Sequence, residues 1–340
     1  MTRLKIGVVG AGSIAQKRHL LEYAENDQVE VVAICDINEK RAQEAADKFG
    51  IAKVFTNYHE LLKEDLDAVS VCTPNYLHAP VSVAALKAGN HVLCEKPMAT
   101  SQEEAEQMIA VAEKSGKMLM IGHNQRFVES HQQARKWIAE GKLGKVFSFR
   151  TAFGHPGPEA WSVDGAASWF FKKEEAFIGA MGDLGVHKTD LIRYILGEEM
   201  TEVAAMVETS SKKANVDDNA VLLLKTESGI IGTLAASWSY KGKEDNSTVI
   251  YAEKGVLRLE DDETYSVVFH KNDGTKEQLS LGQIQSNEEG GQVSTGVINH
   301  FVESILTGNE PLVTGYEGMK SLQVILAALQ SNETKQIVKL

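Results

Sequence analysis

The sequence predicts an α/β protein of two units. A doubly wound parallel sheet occupies residues 1–122, and a second α/β unit with an open, mostly antiparallel sheet occupies 123–340. Three observations predict this. Short apolar runs alternate with helix-length stretches through the first third, the pattern of βαβ units. A glycine turn, Gly10-x-Gly12-x-x-Ala15, stands between the first run and the stretch after it. From Thr201 to about Leu281, strand-like runs follow one another with "SG", "KG" and "NDG" hairpin signals between them. A chain of 340 residues also exceeds one ordinary core.

In order, Leu4–Val9 is a short apolar run suited to a buried parallel strand. Gly10 permits the tight turn, Gly12 leaves room for a pyrophosphate, and Ala15 lets the next helix pack on the sheet. Ser13 and Ile14 open that helix, whose free N–H groups favour phosphate. The second strand, "VEVVAICD", ends in Asp36, placed to hold ribose hydroxyls. Val54–Phe55 is a weak third strand; "DAVSVCTP", "HVLCEKP" and "MLMIGH" are the fourth to sixth. Helices are expected at Glu39–Phe49, Glu60–Glu64, Pro80–Ala88 and Gln102–Ser115. Ligands of such sheets lie beyond the strand carboxyl ends. There stand Thr73, Pro74, Asn75 and His78 after the fourth strand, and Glu95 and Lys96 after the fifth.

After Gly122, "RKWIAEGKLG" reads as a helix closing at Gly141 or Gly144, and "VFSFRTAF" as a strand. The strands "EVAAMVE", "NAVLLLKTESGIIGTLAASW", "TVIYAEKGVLRLE" and "YSVVFHKNDGTKEQLSL" precede two closing helices, "TGVINHFVESILTG" and "GYEGMKSLQVILAALQS". The runs at Val221–Leu224 and Leu234–Trp238 are too apolar for water on both faces. A homodimer or homotetramer joined through that sheet is expected.

Net charge is −12, which speaks against nucleic acid or an anionic membrane as partner. No apolar run approaches the roughly 20 residues of a membrane span. "MTRLKIGVVGAG" is too short an apolar stretch for a signal peptide, and a cytoplasmic location is expected. Cys35, Cys72 and Cys94 lack metal-type spacing. They read as small buried residues, and no metal is expected.

"GDLGVHKTD" places Asp183, His187 and Asp190 near one face of an otherwise apolar helix. Hydride transfer from an alcohol to a nicotinamide needs a general base at the hydroxyl and often a cation beside the developing charge. His187 and Lys96 are the residue types that serve, and Asp183 could orient the imidazole. The acid, imidazole and acid are therefore expected to face a substrate cleft.

"GVVGAGSIA", "DAVSVCTPNYLHAPVSVAALKAGNHVLCEKPMA", "GHNQRF" and "GAMGDLGVHKTDLIRYILG" together resemble the glucose–fructose oxidoreductase/inositol dehydrogenase (Gfo/Idh/MocA) family. The likeness spans the chain. It implies an N-terminal Rossmann domain, NAD or NADP, and oxidation or reduction of a hydroxyl or carbonyl on a sugar, inositol or related polyol. By motif, Lys96 resembles the family lysine at the substrate hydroxyl, and Asp183 with His187 its acid–imidazole pair. Asn75 and His78 resemble its nicotinamide-side segment. Pro97 shapes the turn after Lys96, with a cis bond expected in that stretch. The substrate walls should come from Gly154–Phe171, with His155 and Trp161 as candidates; Trp238 and Tyr240 suit either a wall or core packing. Arg126 suits either a ligand contact or the domain junction. Asp190 reads chiefly as structural, for instance bonded to backbone or to Arg193, with a substrate role second. Asp36 favours NAD, whereas Lys40 and Arg41 could meet a 2′-phosphate. The rival readings are an NADP-preferring reductase of the same family and a non-catalytic dinucleotide- and sugar-binding regulator.

Overall fold

A computed structural model describes residues 3–282, 284 and 295–340. Six parallel strands form the first sheet: β1 (Leu4–Val9), β2 (Val29–Cys35), β3 (Lys53–Phe55), β4 (Ala68–Val71), β5 (His91–Cys94) and β6 (Leu119–Ile121). Their order is β3-β2-β1-β4-β5-β6. The order reverses between β1 and β4, which opens a crevice beyond their carboxyl ends. The connecting helices are α1 (Leu20–Ala24), α2 (Glu39–Phe49), α3 (Tyr58–Leu61), α4 (His78–Lys87) and α5 (Gln102–Ser115). Two expectations shift. The third helix begins at Tyr58 rather than Glu60, because Asn57 caps it by accepting from the His59 N–H. The turn before α1, Ala15–His19, is π-helical rather than regular α-helix.

The second sheet has nine strands among the described residues. They are β7 (Val146–Gly154), β8 (Met200–Glu208), β9 (Asn219–Thr226), β10 (Ile231–Ser237), β11 (Thr248–Ala252), β12 (Gly255–Leu259), β13 (Val267–Lys271), β14 (Lys276–Leu279) and β15 (Val338–Lys339). The order is β14-β13-β12-β11-β7-β10-β9-β8-β15, and only the β7–β10 pair is parallel. The two-residue β15, which has no strand signal of its own, extends the edge through Val338 and Val203. The remaining helices are α6 (Glu129–Ala139), α7 (Lys173–Ala176), α8 (Val186–Leu196), α9 (Val297–Thr307) and α10 (Gly315–Thr334).

Pairing register sorts this sheet into two faces, since successive side chains alternate. Leu222 pairs with Leu234, and Val203 with Leu224. These four are buried in one core with residues of α8 and α10. The opposite face carries Met206, Val221, Leu223 and Ile231, which are 78, 54, 61 and 59% exposed. Local helices thus cover one face and leave the other bare.

The chain crosses back after the second sheet. Val297, Ile298, Phe301 and Val302 of α9 share a core with Ile6, Val8 and Leu20. The Ile121 N–H donates to the Val313 carbonyl, and Leu322 of α10 joins the core under β4 and β5. Residues after 295 therefore brace both units, although sequence alone assigned them to the second.

Candidate active site

One cleft, with a volume of about 510 Å³, runs from the glycine turn to the N-terminus of α8. Gly10 has φ +97°, and a Cβ there would lie 2.4 Å from the Cys72 carbonyl oxygen, so the turn admits no side chain. A Cβ on Gly12 would meet nothing within 4 Å; this glycine faces the open cleft, where a pyrophosphate needs backbone approach. Ile14, Thr73, Pro74 and Asn75 line the same space. Asp36 accepts from the Ala11 N–H (2.8 Å) and the Asn38 N–H (2.9 Å), so it fixes the turn while lining the cleft. The residues present fit a dinucleotide.

Some expected cofactor residues spend their polar atoms on the protein. His78 is buried, with Nδ1 2.6 Å from the Pro97 carbonyl and Nε2 2.9 Å from the Thr73 carbonyl. Its polar atoms tie two cleft turns together, and the residue also lines the cleft. Burial, the largest influence, pushes the imidazole toward its neutral form, which carries one N–H and donates to one of the two carbonyls at a time. The Asn75 amide donates to the Ala176 carbonyl across the junction (2.8 Å). Glu95 is held by Arg18 and by His19 (2.8 Å). Arg18 lines the cleft and was missed, because "AQKRH" reads as a helix face. The peptide bond Lys96–Pro97 is cis.

At the far end, Lys96 Nζ donates to the Asp183 carboxylate and to the Asp183 backbone carbonyl, both at 2.9 Å. The other carboxylate oxygen accepts from the Trp238 indole N–H (3.2 Å). Asp183 is therefore fully engaged with Lys96 and Trp238, and the expected Asp183–His187 hydrogen bond is not the arrangement formed. The reason is local. Met181–Gly185 is π-helical, which alters the stacking assumed for residues four apart. The glycines of "GAMGDLG" permit it: a Cβ on Gly179 would lie 1.8 Å from the Asp217 carbonyl oxygen, and one on Gly182 would lie 1.9 Å from Ile178. Asp217 caps the turn through the Gly179 and Met181 N–H groups (both 2.7 Å), and burial pushes its carboxyl up to about 6 against those bonds.

His187 lines the cleft, and its Nδ1 is buried without a hydrogen-bond partner among the described residues. Burial, reinforced by the Lys96 charge and by His123, holds the imidazole well below its usual range. It is neutral at pH 7 and therefore able to accept a proton. Asp183→Asn is expected to lower turnover by about tenfold, through loss of the Lys96 counter-charge. It should leave the pH limb of His187 in place, which pH–rate profiles of the two enzymes will check.

His155 and Trp161 line the cleft as expected, with their rings edge-to-face. Arg126 and Asp190 do not. Arg126 forks onto Asp190 with two bonds of 2.7 Å and reaches Glu317 at 2.6 Å. Asp190 also accepts from Ser321 (2.9 Å) and lies 3.7 Å from Arg193. Both are buried at the junction, in keeping with the junction reading of Arg126 and the structural reading of Asp190 rather than the substrate alternative, and this leaves the helix charges only partly cleft-facing. Sequence reasoning missed the amide cluster that replaces them. Gln125 donates to Asn246 (3.1 Å), Asn246 to Glu244 (3.2 Å), and all three line the cleft. Lys188, fully buried and pushed down to about 7 by desolvation, donates to the Asn246 carbonyl (2.7 Å). "KGKEDNS" carried only a turn signal, so nothing marked Glu244 or Asn246.

Comparison with known proteins adds to this geometry. Residues 4–123 match the model described as oxidoreductase family, NAD-binding Rossmann fold, and residues 131–258 match the GFO/IDH/MocA C-terminal domain. A myo-inositol 2-dehydrogenase of Thermotoga maritima is 28% identical over 99% of this chain and 98% of its own. An inositol 2-dehydrogenase of Salmonella agona is 32% identical over 75% of this chain and 74% of its own. A levoglucosan dehydrogenase solved with NADH and L-sorbose superposes with TM-score 0.87 at 25% identity, covering 100% of this chain and 99% of that one.

Proposed function

Because this chain belongs to the GFO/IDH/MocA family of NAD-binding oxidoreductases, we propose that it oxidises a hydroxyl of a sugar, inositol or related polyol, with Lys96 and His187 at the reacting oxygen. Relatives named as inositol and levoglucosan dehydrogenases support the substrate class. The observation that carries the assignment of roles is the meeting of Lys96, Asp183 and His187 at one end of a cleft whose other end is the glycine turn.

NAD, when bound, accepts the hydride. Gly10, Gly12, Ser13, Ile14, Asp36, Thr73, Pro74 and Asn75 would hold it, with Glu95 and Lys96 toward the nicotinamide end. The Lys96 ammonium, fixed by Asp183, stabilises negative charge as it grows on the substrate oxygen. The neutral His187 imidazole takes the hydroxyl proton. Gln125, Asn246 and Glu244 offer amide and carboxylate groups suited to the other hydroxyls. In the reverse direction His187 returns the proton. A panel of sugars and inositols with NAD and NADP, followed at the nicotinamide absorbance, tests this. Turnover of at least one polyol with NAD is expected. Tight NAD binding with no turnover across the panel would favour the regulator reading instead.

The bare sheet face supports self-association. Met206, Val221, Leu223 and Ile231 form an apolar surface, and burying one such side chain contributes about 1.5–3 kcal/mol. We expect a homodimer or homotetramer, and Leu223→Lys should shift it toward monomer in sedimentation runs. A wild-type protein that sediments as a monomer at micromolar concentration contradicts this.

A further inference from the structure

The connection between β7 and α7 does more than wall the substrate end. It lies across the glycine turn: Ser13 Oγ donates to the Trp161 carbonyl (2.9 Å) and accepts from the Val163 N–H (3.0 Å), and Lys17 reaches the same carbonyl at 3.4 Å. One residue further on, Asp164 accepts from Arg41 at 2.5 Å. Arg41 follows Asp36, lies 3.9 Å from its carboxylate, and lines the cleft with it. This arginine is the cation best placed to receive a phosphate on the adenosine ribose. Its neighbour Lys40 points to solvent, 3.7 Å from Glu44.

We propose that Asp164 is a cofactor-specificity residue: it occupies Arg41 and adds a second negative charge beside Asp36, so that a 2′-phosphate finds no free cation there. This rests on the family reading that a nicotinamide dinucleotide fills the cleft. The charge at the ribose end is −1 with Asp36, Arg41 and Asp164 together, and zero without Asp164. A partly exposed ion pair contributes little to folding, and the strap is held over the turn by Ser13 independently of it. The position of Asp164 therefore matters for what the site admits and little for stability. It also makes discrimination a property of two domains, because Asp36 follows β2 and Arg41 lies in the first turn of α2, whereas Asp164 comes from the second unit's strap.

The test is direct binding of NAD and NADP, by titration calorimetry, to the full-length wild type, Asp164→Asn, Asp164→Ala, Arg41→Gln and the Arg41→Gln/Asp164→Asn pair. Both Asp164 variants should tighten NADP by about tenfold, the scale of removing one screened unit charge near a phosphate, and change NAD binding by less than about threefold. The gain should shrink in the Arg41→Gln background, since a freed arginine supplies part of it and relief of the Asp164 charge the rest. Equal changes for both nucleotides, no change for either, or a gain undiminished by Arg41→Gln would each overturn the assignment. Wild-type protein that binds neither nucleotide would instead remove the family reading on which it rests.

Discussion

His187→Ala and Lys96→Ala are each expected to bind NAD within a few-fold of wild type and to lose turnover by about 10²-fold or more, the scale of lost acid–base help. Neither belongs to the phosphate turn, and both stand at the opposite end of the cleft. Their pH behaviour should separate their roles. The His187 imidazole is held well below 6.5, by burial first and by the Lys96 charge next. Oxidation by the wild type should therefore stay flat as pH falls from 8 to 6.5, because the acceptor remains unprotonated. Lys96→Ala removes one of the charges that disfavour imidazolium. Its residual activity should then fall at a higher pH than the wild type's, moving back toward the ordinary histidine range. His187→Ala should show no such limb. Full activity in His187→Ala on its best substrate would leave Lys96 or a water as the proton acceptor. An unmoved limb in Lys96→Ala would mean that the limb belongs to another group.

The first sheet was legible because its signals are local. Each strand is a short apolar run, Asn38 and Ser101 cap α2 and α5 with their side chains, and Thr314 does the same for α10. The glycine turn and Asp36 carried their chemistry in their spacing. Partnership was less legible. The spacing of Asp183 and His187 suggested a pair only on the assumption of a regular helix, and the π-helical turn at Met181–Gly185 removes that assumption. Lys96 is 87 residues from Asp183, and no periodicity reports such a contact. The apolar pattern of "VINHFVESIL" announced a buried helix without saying which core would bury it. For the same reason the strap on Ser13 and the amide cluster at Asn246 emerge only with the tertiary fold.

Arg126→Leu should destabilise the protein by about 3–5 kcal/mol, the cost of leaving a buried carboxylate without its forked partner. Asp190 is wholly buried, and burial alone would push its carboxyl up. The charges around it, with His123, Arg126 and Arg193 acting in that direction, hold it below the usual carboxylate value instead. A depressed folded-state value means that Asp190 contributes stability above its unfolded pKa and that this is lost as pH falls through the folded one. In Arg126→Leu the carboxyl rises, although His123 and Arg193 keep part of the effect. Going from pH 7 to pH 5 should then cost the variant less than the wild type, or favour it. Arg126→Lys should recover little, since an ammonium cannot fork onto both carboxylate oxygens. Arg126→Leu/Asp190→Leu should recover much of the loss, because no charge is left buried without its partner. Below the variant's melting range, the KM for the sugar or polyol should stay near the wild-type value, as expected of a residue that joins α8 and α10 at the junction rather than touching substrate. A KM raised tenfold at unchanged stability would return Arg126 to the substrate site and sink the junction assignment.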